Sequence, residues 1–372
     1  MKAISFLLII TIWHVSEIKF IHGVSDEELK ELKLSDEQLA KAKRVKIVGE
    51  EKKTSHVHIT RAEKKSEFIN VGITFTKVTE NEDLQKKFKL CVNSLLKYST
   101  VNINFYIIGD KQSQLKAKEI FKSIRQPKIE YNIVSLDAED LAKKMHQMVV
   151  KMQDHFSYSS NSYYGDALFF LSIGLFKILD PAVDKIILLD SDLKFKNDIG
   201  ELYRLFDNFN DTNIIGIARD GQPVYRHLFW QYRNENKNTR VGDPPPDGLT
   251  GFNSGVLLMH LDKMRKSKLY QQMMEPEQVE ALTKKYYFKG HLGDQDFFTL
   301  IGMEHQELFY VLPCNWNRQL CKWWGEHGYE DVFDLYFKCD GPVSIFHGNC
   351  NTEIPKDTDD EEYESYGKHQ EL

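Results

Sequence analysis

The apolar residues of this chain fall into short runs separated by amphipathic stretches, and this alternation predicts the fold class. The runs INVGITFT, NINFYIIGD and KIEYNIVSL are rich in β-branched and aromatic residues, as strands are. Stretches with helical spacing, such as QLKAKEIFKSI, lie between them. Strands that alternate with helices form βαβ units, so we predict an α/β domain with a mostly parallel sheet. The predicted elements are strands at 69–76, 102–110, 128–136, 213–218 and 255–261 and an apolar helix at 167–179.

One further strand, within KIILLDSDLKF at 185–195, ends in two acidic residues. Its four consecutive apolar residues are typical of a strand that is buried on both faces. Asp190 and Asp192 follow at the carboxyl end, where open α/β sheets bind their ligands. Because side chains two residues apart in a strand point the same way, these carboxylates repel each other unless they share a cation. Oxygen ligands suit Mg²⁺ or Mn²⁺, so the spacing indicates a metal site, and a solvated turn is the alternative.

Composition sets the size of the fold and argues against one class of partner. The chain has 372 residues, of which 41% are hydrophobic and 12% aromatic, enough for one large α/β domain with an added lobe or for two domains. A net charge of −6 and the lack of a long basic run argue against nucleic acid as the main partner. The sequence contains no GxGxxG or GxxxxGK[ST] loop, so a diphosphate in this sheet would have to be held by a metal ion.

Both ends of the sequence have features of the secretory pathway. The apolar stretch Ala3–Val15 is shorter than the ~20 residues of a spanning helix, so we predict a signal peptide at 1–23, with an uncleaved signal anchor as the alternative. Residues 24–64 are rich in Lys and Glu and are interpreted as a charged stem. The acidic tail at 357–372 ends in HQEL, which resembles a retention signal of the endoplasmic reticulum. We therefore expect a protein of the endoplasmic reticulum lumen, or else a single-pass type II membrane protein there.

Cysteine usage fits an oxidising compartment. Cys91 lies alone in a helical pattern among Leu and Phe, where a buried free thiol is the ordinary interpretation. The other four cysteines are clustered, and two disulfides with any of three connectivities are expected in the lumen. A zinc site is disfavoured because no CxxC pair is present. The clustered cysteines are Cys314, Cys321, Cys339 and Cys350.

Three further segments place small or polar groups beside an apolar run, as a ligand-binding edge would require. They are GFNSGVLLMHL at 251–261, HLGDQDFFTLIG at 291–302 and VSIFHGNCN at 343–351. His347 follows the run VSIF, where it could be a third metal ligand. The alternative for such a residue is a histidine hydrogen-bonded within the structure.

The ordered motifs LLDSD, GFNSG, GDQD and FHGN resemble the glycosyltransferase family that includes glycogenin, which has a retaining GT-A fold. Within that family, QPVYRHLFWQYRNEN, PPPDGLTGFNSGV, CNWNRQLCKWW and HGNCNTEIP are similar to the branch that transfers xylose to xylosides. The resemblance covers roughly residues 65–356. It implies a mixed, mostly parallel sheet flanked by helices, with a small disulfide-linked C-terminal lobe.

The resemblance also implies an activity. The branch moves xylose from UDP-xylose, in α1,3 linkage and with retention, onto a xylosyl-glucose attached to EGF repeats such as those of Notch. The cofactor would be Mn²⁺, or Mg²⁺, and the partners would be secreted or membrane proteins that carry the glycan. A related transferase with another sugar or acceptor is the first alternative, because one or two side chains can decide donor choice. A non-catalytic luminal lectin or chaperone of the same fold is the second.

Residue by residue, the resemblance assigns a role to each motif. Asp190, Asp192 and His347 would bind the metal ion. Gln295, with Asp294, would lie at the donor sugar; because an amide is a poor nucleophile, Gln295 would stabilise positive charge on the sugar ring. The full set implied for UDP-xylose is Thr74, Phe75, Thr76, Asp190, Ser191, Asp192, Asn253, Gln295, His347 and Gly348. Trp230, Leu292 and Asn349 would contact the acceptor sugar, with Trp230 stacking on it.

The C-terminal region follows the branch and departs from the wider family. The resemblance implies the disulfides Cys314–Cys339 and Cys321–Cys350, and Trp316, Trp323 and Trp324 are assigned to the lobe that they link. Many family members have HGxxKPW, with a lysine that touches phosphate, where this chain has HGNCNT and Asn351. The xyloside branch is also expected to have a membrane anchor. Asn210 heads the sequon NDT, a glycosylation acceptor or simply part of a surface loop.

Overall fold

The computed structural model describes residues 68–124, 127–157 and 167–357. The predicted signal peptide, the stem and the HQEL tail lie outside these residues. Along the described ranges, none of the helices has both the length and the apolar character that crossing a bilayer requires.

Seven strands form the main sheet in the order β3-β2-β1-β4-β7-β6-β8. The first four in this order are mutually parallel, β7 runs antiparallel to both of its neighbours, and β6 pairs in parallel with β8. The sheet is therefore mixed and mostly parallel, as the sequence predicts. Three more strands, β5, β9 and β10, form a second sheet. In chain order the strands are β1 Phe68–Thr74, β2 Asn102–Gly109, β3 Tyr131–Asp137, β4 Lys185–Leu189, β5 Leu193–Phe195, β6 Ile215–Arg219, β7 Phe252–His260, β8 Phe309–Leu312, β9 Arg318–Gln319 and β10 Ile345–His347.

Helices cover both faces of the sheet, and alternate residues of β4 show this directly. Ile186 and Leu188 pack into one hydrophobic cluster, and Ile187 and Leu189 pack into the other. This explains why the strand shows a continuous apolar run rather than an alternating pattern. The α-helices are α1 Glu82–Tyr98, α2 Lys111–Ser123, α3 Ala138–Phe156, α4 Leu171–Ile178, α5 Ile199–Arg204, α6 Val224–Leu228, α7 Trp230–Glu235, α8 Leu261–Lys266, α9 Lys268–Met273, α10 Pro276–Tyr286, α11 Asp294–Gly302 and α12 Phe333–Phe337.

The predicted elements are present, with corrections at their ends. The segment predicted as one helix at 167–179 is a 3₁₀ turn, Ala167–Phe170, followed by α4. The strand predicted to start at 128 starts at Tyr131, and the one predicted at 213–218 is shifted by about two residues, to β6. The strand predicted from 255 begins at Phe252, so the FNSG motif is already part of β7.

A second, three-stranded sheet in the order β5-β10-β9 carries the C-terminal segment. In it, β10 runs antiparallel to β5 and parallel to β9. Two disulfides, Cys314–Cys339 and Cys321–Cys350, link the segments around β9 and β10. This is the pairing that the resemblance implies, and it is confirmed. Cys91 is a buried free thiol, as predicted.

The tryptophans assigned to the C-terminal lobe have three different environments. Trp316 is buried in the hydrophobic cluster on one face of the main sheet, which also contains Ile345 of the small sheet. Trp324 packs against the other cluster. Trp323 is half-exposed and stacks on His327 with ring centroids 3.8 Å apart. The lobe is therefore joined to the main domain by apolar packing as well as by strand pairing.

We expect each disulfide to stabilise the fold by a similar amount, because their sequence separations of 25 and 29 residues are similar. Restricting the unfolded chain over loops of this length corresponds to about 3 to 4 kcal/mol per bridge. Urea unfolding of Cys314→Ser/Cys339→Ser and of Cys321→Ser/Cys350→Ser should each show that loss. Cys91→Ala, which removes a thiol but no covalent link, is the control. A loss below about 1 kcal/mol for either pair would contradict the expectation.

Candidate active site

Asp190 and Asp192 lie where the chain passes from the main sheet to the small one. The Asp190 amide donates to the Gly255 carbonyl at 2.9 Å, which continues the β4–β7 ladder one residue beyond the strand. The Asp192 carbonyl accepts from the Gly348 amide, also at 2.9 Å, and β5 begins at the next residue. The main-chain bonds on both sides therefore fix the DSD segment, with Ser191, at the carboxyl edge of β4.

His347 comes to the same edge from β10, where it pairs with Leu193. Its Nε2 lies 3.6 Å from Asp190 Oδ2 and 3.4 Å from Asp192 Oδ1, and one ligand atom of each residue lies within 4.8 Å of the others. Neighbouring ligands in an octahedral shell with bonds of 2.0–2.1 Å are about 3 Å apart, so the three side chains could close on a divalent cation with small movements. Two carboxylates and one imidazole suit Mn²⁺ or Mg²⁺ better than a soft metal ion.

The two carboxylates of this cluster differ in pKa, since loss of solvation raises the Asp190 pKa to about 6. Burial opposes ionisation of Asp192, but the charge of His347, its hydrogen bond and the charge of Lys87 together lower the Asp192 pKa. Burial likewise opposes a charged His347, yet the facing carboxylates of Asp192 and Asp190 raise its pKa. Asp192 is thus held as an anion, the form in which a carboxylate binds a metal ion.

Asn317, which the sequence analysis did not single out, orients the histidine. Its Oδ1 lies 2.9 Å from His347 Nδ1, and its Nδ2 donates to Asn253 Oδ1 at 2.8 Å. Because a carbonyl oxygen can only accept, His347 Nδ1 carries a proton, and Nε2 is the nitrogen that would bind a metal ion after losing its own proton. A ligand histidine whose other nitrogen is hydrogen-bonded in this way is typical of metal sites. The Asn317 amide lies inside the quoted segment CNWN, but no spacing rule pointed to it.

The glycine that ends the GFNSG motif makes room for the imidazole ring. A Cβ on Gly255 would lie 2.3 Å from His347 Cε1 and 2.7 Å from its Nδ1. A side chain at this position would therefore displace the ring. Asn253 and Ser254, the two residues before it, bond to Asn317 and to Asp294 respectively.

The GDQD motif begins helix α11 and faces the same edge. Asp294 accepts from Ser254 Oγ at 3.0 Å and from the Ser172 hydroxyl, and burial raises its pKa to about 7. Gln295 is buried, accepts from the Ser254 amide and donates to Asp220 Oδ2, both at 3.2 Å. The amide of Gln295 is therefore fixed in orientation by two partners.

Asp296 and Asp220 are two further buried aspartates, and their hydrogen-bond partners differ. Asp296 accepts from the Tyr225 hydroxyl at 3.0 Å and from the amides of His291 and Leu292, so it shapes the loop before α11. Asp220 directly follows β6, and burial raises its pKa to about 7. The sequence analysis missed Asp220, although an aspartate after the run NIIGIAR is the same signal that identified Asp190.

The residues assigned to uridine lie at the end of β1. Phe75 is fully buried and stacks on Phe88 with ring centroids 4.0 Å apart, so only its main chain is available to a ligand. Thr76 donates its hydroxyl to Asp110 Oδ2 at 3.0 Å. Thr74, the last residue of β1, is half-buried.

The three residues assigned to the acceptor have different environments. Trp230 is 57% exposed at the start of α7, which excludes a core tryptophan. Leu292 is half-buried, and its amide donates to Asp296. Asn349 uses its Oδ1 to accept from the amides of Leu320 and Cys321, both at 3.0 Å, so part of its side chain braces the small sheet.

Comparisons with known proteins agree with this geometry. The family model "Glycosyl transferase family 8" matches residues 81–326. Xyloside xylosyltransferase 1 of mouse is 50% identical over 289 residues, which are 76% of this chain and 74% of the relative, and the human protein gives the same figures. The crystal structure of the mouse protein without ligand superimposes with a TM-score of 0.75 and 48% identity, covering 78% of this chain and 100% of that one.

These findings confirm the family and the GT-A-like fold predicted from the sequence. The family match begins just before α1 and ends in the segment that contains Trp323 and Trp324, so β1 and β10 lie outside it. The chain therefore belongs to glycosyl transferase family 8.

Proposed function

We propose that this chain is a retaining xylosyltransferase that moves xylose from UDP-xylose, in α1,3 linkage, onto a xylosyl-glucose on EGF repeats. The observation that carries the proposal is the Asp190–Asp192–His347 cluster at the carboxyl edge of a family 8 sheet. The choice of xylose is supported by the 50% identity to xyloside xylosyltransferases of mouse and human. The EGF-repeat acceptor is an expectation from the xyloside branch.

Asp190, Asp192 and His347 would hold Mn²⁺, or Mg²⁺, against the diphosphate of the donor. A divalent cation there neutralises the charge that develops on the leaving diphosphate. The main chain at Thr74, Phe75 and Thr76 would hold the uridine. The hydrogen-bonded groups Asn253, Asp294 and Gln295 would orient the sugar, because their own partners fix them in place.

Retention of configuration needs attack on the face from which the diphosphate leaves, or a covalent intermediate. We propose the first route. The bond between the sugar C1 and the diphosphate oxygen breaks, the acceptor oxygen bonds to C1 from the same side, and the acceptor proton passes to the departing phosphate. Gln295 is held by Ser254 and Asp220 and is a poor nucleophile, so its role is to stabilise positive charge on the ring.

A donor screen with the purified protein, Mn²⁺ and a xylosyl-glucose acceptor tests the function. We expect transfer from UDP-xylose that EDTA abolishes, because the diphosphate needs its cation to leave. If the protein transferred a sugar from a different UDP-sugar and not from UDP-xylose, the donor would be that sugar nucleotide instead. Binding of the acceptor glycan without any transfer would favour the lectin instead.

In the same assay, Asp192→Asn should abolish transfer and metal-dependent UDP binding. The melting temperature should stay close to that of the wild type, because relief of the repulsion from Asp190 offsets loss of the pair with His347. Asp184→Asn, an exposed aspartate just before the other end of β4, is the matched control and should keep full activity. Near-normal transfer by Asp192→Asn with metal present would show that the metal assignment is wrong.

Gln295→Ala should lower kcat by about 10²-fold while UDP affinity stays within about twofold, because the amide acts mainly on charge formed in the transition state. Steady-state kinetics and UDP titration measure the two effects. Gln271→Ala, which removes an amide that bonds the Arg265 carbonyl in another part of the fold, is the control. Equal losses in kcat and in UDP affinity would assign Gln295 to donor binding instead.

We also propose that the protein resides in the endoplasmic reticulum lumen, with a signal peptide at 1–23, a stem at 24–64, the catalytic domain at 65–356 and the tail at 357–372. The two disulfides support an oxidising compartment.

Deleting His369–Leu372 should send the expressed protein into the medium, because HQEL would act as a retention signal. Immunoblots of cells and medium measure this. Deleting residues 361–364 removes the same number of residues and keeps HQEL, so it should leave the protein inside the cell. Unchanged retention without HQEL would favour a membrane anchor.

A further inference from the structure

Helix α1 places a lysine near the metal cluster. Cys91, near the middle of the helix, donates its thiol to the Asp190 carbonyl at 3.9 Å. Lys87 lies one turn earlier on the same face of the helix. Its side chain is only 22% exposed, whereas that of its neighbour Lys86 is 76% exposed. Lys87 therefore lies against the protein surface, and Lys86 points into solvent.

The ammonium group of Lys87 has two partners, and one of them follows the metal ligand His347 in the chain. It donates to Asn351 Oδ1 and lies 3.0 Å from Asp83 Oδ2. Cys350 and Asn351 both have left-handed backbones, with φ of 55° and 60°, and Cys350 is bonded to Cys321. This tight turn is what brings Asn351 back to α1, so Lys87 spans the gap between the helix and the segment that carries His347.

Lys87 is tied to both sides of the metal cluster by geometry. Its partner Asn351 lies four residues after His347, and Cys91, one turn further along α1, contacts the Asp190 carbonyl. The lysine can therefore offer a cation to a ligand that binds at the cluster.

A diphosphate would need such a cation. Two ionised aspartates offset the charge of a divalent ion, so a diphosphate bound to that ion would keep a net negative charge that a neighbouring cation could neutralise. The Lys87–Asp83 pair is a surface pair, since the Asp83 side chain is 66% exposed, and breaking it costs little. An incoming phosphate oxygen could replace Asp83 as the partner of the ammonium group at small cost.

We propose that Lys87 is a further donor-binding residue, whose ammonium group contacts the diphosphate of the nucleotide sugar beside the Asp190–Asp192–His347 cluster. Asp83 and Asn351 hold the ammonium group in position before the donor binds. This inference rests on the proposed function, because it assumes a diphosphate donor at this site.

Titration calorimetry with UDP and Mn²⁺ tests it on four proteins: wild type, Lys87→Met, Lys87→Arg and the neighbouring control Lys86→Met. We expect Lys87→Met to weaken UDP binding about tenfold or more, and Lys87→Arg to restore most of the affinity, because a charge-assisted contact is lost and then replaced. Lys86→Met should bind as the wild type does. Uridine, which has no phosphate, should bind equally to all four proteins.

A second variant tests whether Lys87 acts by contacting the donor or by holding the turn at Asn351. Asn351→Ala removes the brace but keeps the lysine, so UDP affinity should stay within about twofold of the wild type. The inference is overturned if Lys87→Met binds UDP normally, if it loses uridine and UDP equally, or if Asn351→Ala loses as much affinity as Lys87→Met. If the wild type itself bound no UDP with Mn²⁺, the proposed function would fall, and this inference with it.

Discussion

The candidate site depends on how the chain leaves the main sheet between Leu189 and Leu193. β4 is held in the main sheet by β1 and β7, and β5 is held in the small sheet by β10. The residues between them have to bridge the two sheets, and they do so with main-chain bonds to Gly255 and Gly348. Because β10 pairs with β5, His347 arrives opposite the residues that have just left β4. The junction of the two sheets therefore brings Asp190 and Asp192 next to His347.

The antiparallel strand β7 supplies the other half of the site. Its amino end lies beside the carboxyl ends of β4 and β6, so the FNSG motif at its start faces the aspartates that follow those strands. Three successive residues then make different contributions, since Asn253 bonds Asn317, Ser254 bonds Asp294, and Gly255 makes room for His347. Buried polar groups that are satisfied in this way lock the geometry of a site.

The sequence was a good guide wherever one element carried the signal. The apolar run before Asp190 identified β4 and its acidic end, and the alternation of elements identified the mostly parallel sheet. The role of Asn317 could not be predicted from the sequence, because it depends on a contact with His347, 30 residues away, that no local pattern encodes. The inward side chain of Phe75 and the burial of Trp316 likewise depend on packing between distant segments. Asp220 could have been found by the rule that found Asp190.

The small sheet is much less strongly held than the main one. Two of its strands have three residues, the third has two, and its β9 edge depends on two residue pairs. Elements with so few bonds can open locally at a lower free energy than global unfolding requires. Such an opening would carry His347 away while both aspartates stayed with the main sheet. A metal ion bound by all three residues would select the closed conformation, so cation and nucleotide would protect β5 and β10 from hydrogen exchange and leave the exchange of β1 and β2 nearly unchanged.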